Sequence, residues 1–342
     1  MHCLRYSTVV FLILLISTSS ELVYSQDPHF SQYFSSPLTL NPAYTGKFDG
    51  AFRLSANQKN QWPSINNAFT TSTVAYDFSI FNNRIGYYDT WGVGILAVND
   101  KTGNNFIKNN FYSISTAYSK ALDEDGRNQL TLGFQGTVAQ KKLDISGADF
   151  EDELSSDGFT GSTSEFFGAN PLTLNYFDLN VGILYAMSTN DENSIYVGGS
   201  FYHVNKPNDS FQGGTLSLNP RTTIHGGTYL PMGLYSSFNA SFIYQNQANA
   251  SEFLGGAALS HNLNQNYDSP TELYAGAWYR IGDAIIPYLA LETKGIRVGF
   301  TYDINISSLR PASMSRGGAE ISIMYTAKFR DPFKKRINCP KY

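Results

Sequence analysis

Phe111-Tyr112-Ser113-Ile114-Ser115-Thr116-Ala117-Tyr118 sets Tyr112, Ile114, Thr116 and Tyr118 against Ser113, Ser115 and Ala117. Side chains alternate sides along a β-strand, so this stretch carries one apolar face and one small, polar face. The same period recurs. Leu130, Leu132, Phe134, Gly136 and Val138 alternate with Thr131, Gly133, Gln135 and Thr137, and Ile321, Ile323 and Tyr325 alternate with Ser322, Met324 and Thr326. Similar runs lie near 51–59, 69–78, 91–99, 177–187, 195–203, 222–230, 234–244, 253–260, 273–279, 286–291 and 296–302. The pattern predicts about 14 strands of about 7–11 residues, an even count within the range of outer-membrane barrels.

Composition supports that reading. Charged residues are 15% of the chain, no more than the aromatics at 15%, with 23 Tyr, 24 Phe and 29 Gly, a balance that suits a sheet with a lipid-facing surface. After residue 25 no segment resembles a transmembrane helix. A chain that spans lipid without helices must close its strands on themselves, because each backbone N–H and C=O needs an internal partner there. The expected fold class is therefore all-β, a transmembrane antiparallel β-barrel preceded by a short N-terminal arm.

The first 25 residues read as a secretory leader: Arg5, an apolar run from Val9 to Ile16, then a polar stretch ending Val23-Tyr24-Ser25. Its apolar core is short of the roughly 20 residues a spanning helix needs. The chain divides into a removed signal peptide (1–25), a periplasmic arm (26–47), an outer-membrane barrel (48–327) and a C-terminal tail (328–342). Removing the leader takes away Arg5 and Glu21 together, so the net charge of −4 is unchanged. It also takes away Cys3, leaving Cys339 as a free thiol, an intermolecular link or a passive tail residue.

Connectors carry turn chemistry, as in Asp123-Glu124-Asp125-Gly126 and Pro231-Met232-Gly233. The longest gap, 143–176, holds Asp149, Glu151, Asp152, Glu153 and Asp157, but their spacing is not that of an EF-hand loop and reads as a solvated surface loop. Paired glycines such as Gly198-Gly199 and Gly226-Gly227 read as bends or close approaches in a curved sheet.

Catalytic chemistry is hard to find. His29, His203, His225 and His261 lack metal-ligand spacing and have no cysteine pair to help them. There is neither a nucleophile elbow nor a phosphate-binding Gly-Lys loop. A mildly acidic chain is a poor match for nucleic acid. No catalytic residue, cofactor or metal is expected, and a barrel-embedded hydrolase has no supporting motif.

What remains are segments that no catalytic chemistry requires. Asp27-Pro28-His29-Phe30-Ser31-Gln32 is followed by Asn41-Pro42-Ala43 with Gly46, then Asn60-Gln61-Trp62, Tyr76-Asp77, and Trp91-Gly92-Val93-Gly94 with Asn99-Asp100. Phe177-Asp178-Leu179-Asn180-Val181-Gly182 and Gly198 to Pro207, which includes His203, come next, and Asn338-Cys339-Pro340-Lys341-Tyr342 ends the chain. In this order, over almost the whole mature chain, they resemble the PorP/SprF family of outer-membrane proteins of type IX secretion and gliding motility. Lys59 stands where the family pattern leads us to expect Arg, keeping a cation but losing planar bidentate hydrogen bonding.

The resemblance implies a non-enzymatic component of the machinery that anchors it or assists secretion and surface attachment of an adhesin. Its implied partners are outer-membrane lipid, the secretion ring or a peptidoglycan-linked periplasmic protein, and the secreted adhesin. The implied partner-binding or motif residues are Asp27, Pro28, His29, Phe30, Ser31, Gln32, Asn41, Pro42, Gln61, Trp62, Asp178, His203, Pro207, Cys339 and Pro340. A passive porin is the alternative. Beside the resemblance stands a physical expectation. Pro28, Pro37 and Pro42 keep the arm from forming a regular strand, so it should lie in or under the periplasmic mouth, anchored by His29, Phe30, Tyr33 and Phe34. Asp178 and Asn180 should face the lumen and pair with an Arg or Lys there, for instance Arg297 or Arg280.

Overall fold

The computed structural model describes residues 27–327, apart from 66–67, 82–84, 104, 157, 160–162, 165–170, 190–192, 212–213 and 265–269. The leader and the tail with Cys339 and Pro340 lie outside the described residues. The strands are β1 (Phe52–Gln61), β2 (Phe69–Ile80), β3 (Thr90–Thr102), β4 (Ile107–Ala121), β5 (Asn128–Leu143), β6 (Leu154–Ser155), β7 (Gly158–Phe159), β8 (Leu172–Met187) and β9 (Ser194–Tyr202). They continue with β10 (Arg221–Pro231), β11 (Ser236–Gln247), β12 (Ala250–Asn262), β13 (Thr271–Arg280), β14 (Ala284–Thr293), β15 (Ile296–Asn305) and β16 (Arg316–Ala327). All but β6 and β7, a small separate hairpin, form one closed antiparallel barrel in which β1 pairs with both β2 and β16. Among the described residues no helix is long and apolar enough to cross a membrane.

Each expected run is a strand of the wall, although several are longer than expected. β5 and β8 each reach 16 residues. Their extra length lies beyond the apolar stripe, where Gln140, Lys141 and Lys142 carry the strand past the band that patterning can reveal. Within the band the two faces separate as the alternation requires. Ile114, Phe134, Phe177 and Ile323 are exposed toward lipid, while Ser113, Ser115, Gln135, Asp178, Asn180 and Ser322 are buried inside.

The mouths differ. At the end where β1 begins, no connection between the described strands exceeds the nine residues of 81–89, and the shortest is 294–295. The other end also has tight turns, such as 248–249, but there lie 144–171 and 203–220. We call these the short-turn and long-loop mouths.

The lumen is occupied. The arm enters at the long-loop mouth with Asp27 and runs the length of the barrel, joining β1 at the short-turn mouth. This differs from the expected place in or under the periplasmic mouth. Three short helical turns, Tyr33–Ser35, Pro37–Leu40 and Pro42–Tyr44, compact the arm enough to fit. Pro37 and Pro42 sit in the first positions of their turns, where a missing N–H costs nothing and the fixed φ helps. From Phe30 to Phe48 almost every residue is buried.

Candidate functional site

The site is the contact between arm and wall, and it changes character along its length. At the long-loop mouth it is ionic. β9 ends at Tyr202, and His203 takes a left-handed backbone conformation (φ 60°) that turns the chain out of the sheet. Its N–H donates to Asn180 Oδ1 at 3.1 Å. The imidazole lies between two carboxylates, with Nε2 2.8 Å from Asp27 Oδ2 and Nδ1 3.0 Å from Asp178 Oδ2. Arg221 Nη1 adds a second cation 3.3 Å from Asp27 and stacks over the Tyr202 ring at 4.1 Å.

Burial opposes charge on both partners, but the pair overcomes it. His203 is raised to about 9: desolvation pulls it down, and Asp27 and Asp178 more than offset that. Desolvation would raise Asp27, but His203 and Arg221 hold it well below the usual carboxylate range. His29 behaves oppositely. Glu252, 3.3 Å from its Nε2, favours the proton, yet burial together with Lys59 and Arg280 lowers it to about 4.

Next along the arm come directional hydrogen bonds. Ser31 N–H and Gln32 N–H donate to the Glu320 carboxylate at 2.8 and 3.2 Å. Ser31 Oγ donates to Asp303, and Arg280 bridges Asp303 and Ser31 Oγ from the other side. Asp178 and Asn180 face the lumen as expected, but the expected arginine partners are wrong. Arg280 is engaged by Asp303, Glu252 and Asp283, and Arg297 by Glu292, leaving His203 for Asp178.

Toward the short-turn mouth, shape takes over. Phe34 packs on Trp278 and Tyr288 with ring centroids 5.0 and 5.3 Å away. Gly133 and Gly182 are directly opposite each other in the β5–β8 ladder, and together they make a hollow for Asn41-Pro42-Ala43. A Cβ on Gly182 would lie 1.9 Å from Asn41 Oδ1, and one on Gly133 would lie 2.3 Å from the Ala43 nitrogen. Gly92 meets Thr45 in the same way, at 2.0 Å from its carbonyl oxygen. Asn41 Nδ2 reaches Ile183 O, Gly199 O and His225 Nε2 at 3.0–3.1 Å, and its Oδ1 accepts from Ala43 N–H at 2.8 Å. The Arg53–Asp77 pair, both nearly inaccessible, closes the end: Asp77 accepts from Gly46 N–H at 2.8 Å and Arg53 donates to Tyr44 O at 3.0 Å.

The motif residues therefore converge. Asp27 meets Asp178 through His203, Asn41 and Pro42 meet Gly182, and Gly46 meets Asp77. Phe30, Ser31, Gln32, Asn41 and Pro42 are buried in the lumen and offer no surface while the arm is seated. Asp27, Pro28 and His29 are half-buried at the long-loop mouth. There, with Gln61, Trp62, Arg221 and Glu252, Asp27 and His29 line a cavity of about 240 Å³. Trp62 closes the end of β1, donating its N–H to Gly317 O at 2.8 Å and packing on Phe69. Pro207 O accepts from Leu218 N–H, fixing the loop after β9. Sequence reasoning missed Arg221, Glu320, Gly133, Arg53 and Lys47. Lys47 is buried and donates to Ser119 Oγ at 3.0 Å. The only sequence signal of the wall residues among them is a polar or small residue on the inner face of a strand, which many wall positions share, and Lys47 is a lone cation in the arm. Among the described residues, no group of three or more His, Cys, Asp or Glu is placed to hold a metal ion. Asp152, from the acidic loop, instead accepts from Thr163 and Ser164.

A family model described as type IX secretion system membrane protein PorP/SprF matches residues 22–325. No curated protein sequence matches. Solved structures of similar shape include the Ralstonia pickettii toluene transporter TbuX, at 9% identity over 86% of this chain and 94% of that one with a TM-score of 0.48. The CymD monoaromatic hydrocarbon channel gives 10% identity over 87% and 93% with a TM-score of 0.47. The KdgM porin gives 8% over 80% and 98% with a TM-score of 0.39.

Proposed function

Since the chain belongs to the PorP/SprF family of type IX secretion system membrane proteins, we propose that it serves that machinery in the outer membrane as a plugged, non-conducting barrel whose rims hold partner proteins. The observation that carries this reading is the arm, seated along the whole lumen by ion pairs, close backbone contacts and aromatic packing. A solute path through the barrel has no place in such an arrangement. Outer-membrane barrels keep short turns on the periplasmic side and longer loops outside, so the short-turn rim is the surface for a secretion ring or a peptidoglycan-linked protein. The long-loop rim is then the surface for a secreted adhesin.

Planar-bilayer recording tests the plug, and co-purification after gentle detergent extraction tests the partners. The intact protein should give no steady conductance and should carry machinery components with it, and removal of residues 27–46 should open a pore. A wide, steady pore with the arm intact and no co-purifying partner would overturn this reading and favour a passive porin.

A further inference from the structure

The arm's hydrogen bonds between His29 and Gln32 gather at one place in the wall. β1 and β16 meet over Phe52–Gln61 and Gly318–Ala327, and among the described residues every other pair in the barrel joins strands that follow one another along the wall. The β1–β16 seam closes nearly the whole chain into a ring, so it carries the largest loop-closure cost. Its register also matters most. A slip of one residue would turn the polar inner face of β16 toward lipid.

In the observed register Lys59 lies directly opposite Glu320, and Asn57 opposite Ser322. The arm backbone sits over both strands. Lys59 Nζ donates to His29 O at 3.0 Å, and Glu320 accepts from Ser31 N–H, from Gln32 N–H and, at 3.2 Å, from Asn57 Nδ2. The Gln32 side chain is fully inaccessible and spends its amide on the β15–β16 side. Nε2 donates to Glu320 O at 3.0 Å and Thr301 Oγ1 at 3.3 Å, while Oε1 accepts from Ser322 Oγ at 2.7 Å. β15 leaves space for it, because a Cβ on Gly299 would lie 2.6 Å from Gln32 Oε1. Ser31 Oγ also bonds Asp303 on β15 and Arg280 on β13, whereas the side-chain bonds of Gln32 all fall on β15 and β16.

We propose that His29-Phe30-Ser31-Gln32 is the clasp that closes the barrel: it docks across β1, β15 and β16 and sets the register of the seam. A slipped β16 would carry Glu320 away from the two arm N–H groups and leave the Gln32 amide, buried against Gly299, without partners. Buried groups that lose partners are penalised more than the bonds themselves contribute. This role is independent of secretion, since an arm can clasp a barrel whatever the barrel serves.

Thiol cross-linking in a Cys339→Ser background tests it. Ala56→Cys with Ile323→Cys reports the native seam, because 56 and 323 are opposite in the ladder. Ala56→Cys with Val74→Cys reports the neighbouring β1–β2 pair, and Ala56→Cys with Ile321→Cys or Tyr325→Cys reports a two-residue slip. With the arm intact, 56–323 and 56–74 should form and the slipped pairs should not. Gln32→Ala should lower 56–323 cross-linking about tenfold, as the loss of two or three buried hydrogen bonds implies. Deleting 27–32 should abolish 56–323 and raise the slipped products, with 56–74 kept in both cases. Full 56–323 yield without residues 27–32 would overturn the proposal. Loss of 56–323 and 56–74 together would also overturn it, because the arm would then support the wall as a whole and not the seam.

Discussion

The two ends of the arm are held by different physics. At the long-loop mouth Asp27 sits among His203, Asp178 and Arg221, charges whose strength depends on protonation and geometry. At the short-turn mouth Asn41-Pro42-Ala43 and Thr45 lie in hollows made by Gly133, Gly182 and Gly92, held by shape and backbone hydrogen bonds. The root has an ion pair too, Arg53–Asp77, but it is nearly inaccessible, whereas the ionic contacts of the tip lie at the mouth, within reach of a change of pH or a competing charge. The difference suggests a plug that is permanent at its root and conditional at its tip.

Substitutions can break each half separately. The largest effect should come from Phe34→Ala, which empties the space between Trp278 and Tyr288 and should cost about 3–5 kcal/mol. Thermal unfolding followed as the shift in gel mobility on heating would report it. His203→Ala should come next, at about 3 kcal/mol, because Asp27 and Asp178 lose the cation between them while staying partly or wholly buried. Limited proteolysis should then cut the tip of the arm and leave its root protected. Equal loss of protection along the arm would contradict the comparison.

Gly182→Ala should follow, at about 1–3 kcal/mol for an overpacked contact. It should loosen the root and spare the ion pairs at the tip. The smallest effect should be that of small steps in pH around neutrality. His203 is raised to about 9 from an ordinary 6.5, so the stability gained from its proton is fully present below 6.5 and is lost as pH rises through about 9. His29 is lowered to about 4, so its contribution is present above 6.5 and is lost as pH falls toward 4. Protease protection of the tip should therefore weaken in both directions from neutrality, while Gly182→Ala should leave this profile unchanged.

The wall was largely legible in the sequence. Tyr112, Ile114 and Ser113, Ser115 fall on the faces their alternation assigns, and Asp178 and Asn180 face inward because Phe177 and Leu179 face lipid. Strand ends were less legible, since beyond the lipid band both faces of β5 are polar. The course of the arm was not legible. Its prolines correctly exclude a strand, but nothing local distinguishes an arm beneath a mouth from one threaded through the lumen. Gly133 illustrates the reason. In the sequence it is one more small residue on a polar face, and its meaning comes from Ala43, far away along the chain and adjacent only after folding. Paired glycines drew attention as close approaches, but the closest approaches of the arm fall at the single glycines Gly92, Gly133 and Gly182. The quoted motifs suggested a partner surface; in the structure most of them are partners of one another.

The occupied lumen is the central claim, and thiol accessibility measures it directly. Ser36 is buried midway along the arm at 2% exposure, and cysteine is the closest replacement for serine in size, so Ser36→Cys in a Cys339→Ser background provides one reporter inside the barrel. A membrane-impermeant maleimide added to the folded protein in detergent, with access to both mouths, should leave Cys at this position unmodified until the barrel is unfolded by heat. Labelling of the folded protein at the rate of an exposed thiol would show that the arm does not fill the lumen.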